Sequence, residues 1–146
     1  MIDWGIILSA AATVITLIGV IVSVRSLKKQ LQLSFFSEYT KRYQEIVLNF
    51  PESINQSDFH FDKLEKTERD KTLRYMRAYF DLCSEEYFLW KQKNIDEETW
   101  KQWETGIKFA FSKAAFRVAW SILRLDTVYY GEFSQFVEKI IPVKNI

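Results

Sequence analysis

Apolar residues are distributed in two different ways along this chain. The stretch "IILSAAATVITLIGVIVSV", residues 6–24, carries no charge, whereas later apolar residues recur every three or four positions with charged residues between them. The first pattern predicts a helix over 4–24. About 21 residues at 1.5 Å each cover the roughly 30 Å hydrocarbon core of a bilayer. Its polar side chains are the hydroxyls of Ser9, Thr13, Thr16 and Ser23, which can bond back to their own helix. Trp4 stands where an interfacial aromatic belongs. A cleaved secretory signal would carry positive charge before the apolar run, but here Asp3 precedes it and Arg25, Lys28 and Lys29 follow it. A core helix of a soluble protein would normally keep a charged stripe. The expectation is a membrane helix within 1–24 and a helical domain over 25–146. The basic residues behind the span put that domain in the cytoplasm, with the N-terminus outside.

Within the span, Gly5, Ser9, Ala12, Thr16, Gly19 and Ser23 fall on one line at alternating spacings of four and three. Each is small, so two helix backbones can approach closely along that line and hydroxyls can bond across it. The 3.5-residue period suits a left-handed crossing of parallel helices. This predicts a homo-oligomer with those six residues at its interface. The competing explanation is compositional, since small residues are common in membrane helices.

The second pattern predicts a bundle of about five helices. No Gly or Pro occurs between Val24 and Pro51, so the first helix is expected to continue with Leu27, Leu31, Phe35, Tyr39, Tyr43, Ile46 and Phe50 on one face. Pro51 ends it, because the residue before proline is pushed out of the helical region, and "PESINQSDFHFD" reads as a loop. Thr67 and Asp70 resemble a capping box for a helix reaching about Gln92, with Leu73, Met76, Phe80, Cys83, Tyr87 and Trp90 on its apolar face. "KQKN" ends that helix and Asp96 caps the next, where Trp100, Trp103, Ile107 and Phe111 form the buried side. Glu97 with Lys101 and Glu104 with Lys108 are exposed four-apart pairs. "AAFRVAWSILRL" gives a further helix with Phe116, Trp120 and Leu123 inward. "DTVYYG" is a turn, and Phe133, Phe136, Val137 and Ile140 mark the last helix. Phe80, Trp90, Trp103 and Trp120 are the expected core. The fold class is thus all-α.

Composition narrows the function. Twenty basic residues against nineteen acidic ones leave no strongly basic face for duplex nucleic acid. The one cysteine, Cys83, excludes an internal disulfide and, lying on the apolar stripe, reads as core. Glycine-rich phosphate loops, nucleophile elbows and paired-cysteine or zinc-protease motifs are absent from the sequence, so no enzyme, cofactor or metal is expected. His60 falls in the loop as a solvated residue. Asp81, Glu85 and Glu86 form an acidic cluster on one helix, expected to be solvated or paired with arginine. Arg74 and Arg77, interleaved with Tyr75 and Tyr79 and joined by Lys41 and Arg42, could bind a nucleotide phosphate and stack on its base. The alternative is that they pair with nearby acids. Lys108, Lys113, Arg117 and Arg124 form a second basic run of the same ambiguity.

The segments "FSEYTKRYQEI", "RYMRAYFDLCSEEYFLWKQKNIDEETWKQWETGIKFAFSKAAFRVAW" and "EFSQFVEKI", behind an N-terminal span, resemble a group of small bacterial single-pass membrane proteins of unknown function with an all-helical cytoplasmic tail. The layout is also similar to that of membrane effectors in antiphage defence. That resemblance implies a cytoplasmic domain that senses a ligand or protein partner and a membrane part that responds. A passive anchor or scaffold for a cytoplasmic partner is the alternative reading.

Overall fold

The computed structural model describes residues 3–126, 128 and 130–141. These form five α-helices, α1 (Trp4–Val47), α2 (Lys66–Lys91), α3 (Glu97–Phe111), α4 (Ala114–Leu123) and α5 (Gly131–Ile140), with no strand among the described residues. The chain divides into two compact units, 1–35 and 36–146.

The first unit is the apolar part of α1. It is long and apolar enough to cross a membrane, and every side chain from 4 to 24 is exposed. Its two threonine hydroxyls are satisfied within the helix. Thr13 donates to the Ser9 carbonyl at 3.0 Å and Thr16 to the Ala12 carbonyl at 2.9 Å, the back-bonding that makes threonine tolerable in an apolar medium. Leu27 and Leu31 belong to the predicted apolar face but are exposed. Phe35, further along that face, is half-buried.

The second unit has α2 at its centre, against α3, α4 and α5. Its core is aromatic. Phe80 of α2 stacks on Phe111 of α3 with centroids 5.5 Å apart and meets Trp120 of α4 edge-on at 5.1 Å. Trp120 in turn packs on Phe133 of α5 at 5.8 Å. Phe80, Trp120, Phe116, Leu123, Phe133 and Val137 are buried as their spacing predicts. Trp90 and Trp103, expected in the same core, are only half-buried. Trp90 lies flat on the buried Trp100 at 4.7 Å, and Trp103 is at the rim of a groove described below.

Local chemistry sets the helix ends. The α-helical pattern of α1 stops at Val47 rather than running to Phe50. Asn49 N–H reaches the Ile46 carbonyl and Phe50 N–H the Val47 carbonyl, a tightening of the last turn before Pro51. The expected loop after Pro51 contains two short 3-10 helices, Glu52–Asn55 and Phe61–Lys63, and it buries Ile54, Phe59 and Phe61 while His60 stays exposed. The capping box at Thr67 does not form: α2 begins at Lys66, its cap residue is Glu65, and no side chain caps it. At the other end Lys93 adopts a left-handed φ of 57°. Its N–H bonds to the Trp90 carbonyl and that of Asn94 to the Leu89 carbonyl, both at 2.9 Å, which closes the helix as a Schellman turn. Asp96 caps α3 as expected, accepting from Thr99 N–H at 2.8 Å, and that bond holds its carboxyl below the ordinary range. The predicted turn over 126–131 includes Thr127 and Tyr129, which lie outside the described residues.

Candidate functional site

Between the C-terminal part of α1, α2 and α3 lies a groove-like cavity of about 290 Å³. Helical spacing brings Phe36, Tyr39 and Tyr43 of α1 to one wall, with Thr40 beside them. From α2 come Tyr79, Leu82, Cys83 and Glu86, the repeat of three and four that puts all of them on one face. Gln102, Trp103, Gly106 and Ile107 of α3 close the third side. The Trp103 ring is stacked with Tyr39 at 5.4 Å and with Phe36 at 6.3 Å. That arrangement accounts for its half exposure: these rings cover part of the indole, and the cavity is open beside it.

Glu86 is the unusual member. It is 6% exposed and has neither a hydrogen-bond nor an ion-pair partner among the described residues. No side-chain oxygen or nitrogen sealed from solvent there lacks a partner, so the Glu86 carboxyl retains an opening, and the cavity it lines provides one. Burial pushes its pKa up to about 8, with Arg42 pulling it down and Glu85 pushing it further up. The other two acids of the predicted cluster are engaged. Glu85 accepts from Arg42 at 2.6 Å and from the Tyr39 hydroxyl at 3.2 Å, and Asp81 accepts from the Tyr130 hydroxyl at 2.8 Å. Burial, then the Glu85 charge, raises Tyr39 to about 12. Burial likewise pushes the Cys83 thiol and the Tyr79 hydroxyl well above their usual values, so Cys83 is a core thiol. No group of three or more candidate metal ligands occurs among the described residues.

The basic residues proposed from sequence are mostly committed elsewhere. Arg42 pairs with Glu85, and Arg77 with Asp126 at 2.6 Å. Lys41 and Arg74 are exposed. In the second run, Lys108 pairs with Glu104 at 2.8 Å, Arg124 with Glu138 at 3.2 Å, and Lys113 lies over the Phe109 ring. Arg117 donates to the Phe111 and Ser112 carbonyls, covering the end of α3. In the apolar unit Gly5, Ser9, Ala12, Thr16, Gly19 and Ser23 are all exposed, and a β-carbon placed on Gly19 would meet nothing within 4 Å.

The cavity itself was missed from sequence, although one signal was present. Glu86 follows Tyr79 by seven positions and Cys83 by three, so it lies on the apolar face rather than beside it. Compared with family models, with curated proteins and with solved structures, the chain matches none.

Proposed function

We propose that this is a non-enzymatic, self-associating bacterial inner-membrane protein. Residues 4–24 span the bilayer with the N-terminus outside, and a cytoplasmic helical unit receives a ligand or protein partner, in the manner of an antiphage membrane effector. The observation that carries the proposal is the span: 21 consecutive side chains, none charged and none covered by the rest of the chain. Apolar surface of that extent is unfavourable in water and is at home in lipid. Arg25, Lys28 and Lys29 support the orientation. The protein is expected in the pellet after an alkaline carbonate wash of membranes. Recovery in the supernatant, or a mature N-terminus beyond residue 20, overturns the proposal. Growth arrest on overexpression that requires the span separates an effector from a passive anchor.

Self-association is tested on the small-residue line. Because a β-carbon at Gly19 meets nothing within 4 Å, Gly19→Leu fits its own helix and acts on what a neighbouring helix encounters. It is expected to weaken oligomers strongly in mass photometry of the detergent-solubilised protein. Thr16→Val should cost less, about 0.6 kcal/mol per contact, the average for interhelical hydrogen bonds in membranes, and the Thr16 hydroxyl already has the Ala12 carbonyl. Ile18→Leu, off the line, is the control. Identical oligomer distributions for Gly19→Leu and Ile18→Leu would reduce the line to an accident of composition.

A further inference from the structure

We propose that the cavity lined by Glu86 is a binding site for a small organic ammonium ion, whose charge pairs with the carboxylate while its alkyl or methyl groups lie against the surrounding rings. The inference rests on the reading of residues 36–146 as a receptor, and it is independent of the span.

Three features of the site carry it. The first is an acceptor with no donor. Glu86 is buried and without a partner among the described residues, whereas Arg42, the cation that acts on it, is held at 2.6 Å by Glu85 and lies over the Tyr39 ring at 5.2 Å. Ionising that carboxyl without a partner in a low-dielectric site is costly, and an incoming cation with N–H groups offsets the cost. The second is the wall. Tyr39, Tyr43, Tyr79, Phe36 and Trp103 line the cavity with Glu86, and aromatic faces attract ammonium groups most strongly where water is excluded. The third is size. A cavity of about 290 Å³ sits at the small end of ligand pockets, which favours a compact amine.

Charge balance sets a second signature. With a pKa of about 8, Glu86 is mostly protonated in the empty site at neutral pH. An ammonium ion pairs with the ionised form, so binding displaces the carboxyl proton to solvent. The other ionisable groups near Glu86 are Arg42, Tyr39 and Tyr43 on α1 and Tyr79, Cys83 and Glu85 on α2, while the α3 wall contributes none. Tyr39, Tyr79 and Cys83 are shifted upward and stay protonated near neutrality, which leaves Glu86 as the source of the proton.

The test uses the full chain in detergent micelles, titrated with n-butylammonium chloride against empty micelles, with 1-butanol as the neutral isostere. Saturable quenching of tryptophan emission is expected with the ammonium ion. Glu86→Gln should weaken it about tenfold or more, the scale of a lost charge-assisted hydrogen bond. Calorimetry in two buffers of different ionisation enthalpy should show close to one proton released per ammonium bound at pH 7, falling toward zero above the Glu86 pKa. Equal affinity for the wild type and Glu86→Gln, equal affinity for 1-butanol, or no proton release at pH 7 overturns the site. Should Glu86→Gln lose its helical circular dichroism, proton release by the wild type decides alone. A protein that remains in the carbonate pellet yet binds no butylammonium loses this site and keeps its membrane assignment.

Discussion

Trp120→Ala is expected to cost about 3–5 kcal/mol of stability, the range for deleting a large aromatic from a core. Trp120 is 2% exposed. Its ring meets Phe80 of α2 at 5.1 Å, Phe111 of α3 at 5.8 Å, and Tyr130 and Phe133 at 5.0 and 5.8 Å. One side chain on the ten-residue α4 therefore joins α2, α3 and α5. The neighbouring rings are themselves fixed against each other, so the space left by Ala cannot collapse without breaking those contacts, and the cavity term is retained. Trp103→Ala is the comparison. It also removes an indole, but a half-buried one, so it should cost far less. Thermal melts of the full chain followed by circular dichroism at 222 nm should show Trp120→Ala lowered by roughly 10–20 °C and Trp103→Ala by a small part of that. Equal shifts in the two variants would mean that the aromatic contacts of α4 do not organise the core.

The contrast between Trp120 and Trp103 also shows how far periodicity reaches. Spacing of three and four identifies which side of a helix faces the protein, and it did so for Phe80, Phe111, Trp120 and Phe133. It carries no information on whether the facing surface is filled. Trp103 lies on the correct side of α3 but opposite a groove. For the same reason the acidic cluster could be recognised from sequence, whereas its division could not. Asp81, Glu85 and Glu86 look alike along the chain, yet two of them meet a tyrosine or an arginine brought in from more than forty residues away, and the third meets none. Caps behaved similarly. Asp96 was legible because its partner is three residues on, whereas Thr67 offered the same local signal and α2 began one residue before it, with nothing local to distinguish the two. The segment after Pro51 was polar enough to read as loop. Its three buried hydrophobics, Ile54, Phe59 and Phe61, are too irregularly spaced to mark a face.

Glu86→Gln is expected to make the protein more stable than the wild type at alkaline pH and to leave it nearly unchanged at acid pH. In the unfolded chain Glu86 ionises near its ordinary 4.5, and in the folded chain near 8. Between those values the folded state binds a proton that the unfolded state has lost. Stability must therefore fall as pH rises through that window, and it levels off above the folded value. Below 4.5 the carboxyl is protonated in both states and the effect vanishes. A displacement of this size, in which the Arg42 guanidinium already offsets part of the burial, corresponds to a loss on the order of a few kcal/mol. Glutamine has nearly the same shape and never ionises, so the variant escapes the loss and keeps the surrounding packing. The ion pair of Arg42 with Glu85 is present in both proteins and cancels in the comparison. Melting temperatures of the two full chains, measured in micelles from pH 4.5 to 9.5, should nearly coincide at the acid end, diverge as pH rises, and keep a constant gap above about 8, with the variant higher. Butylammonium should narrow the gap at pH 9 by stabilising the wild type, because it pairs with the carboxylate that costs the fold its stability. Parallel melting curves across the whole range would mean that Glu86 is ionised and solvated in the native protein. In that case the cavity would hold water around an ordinary carboxylate.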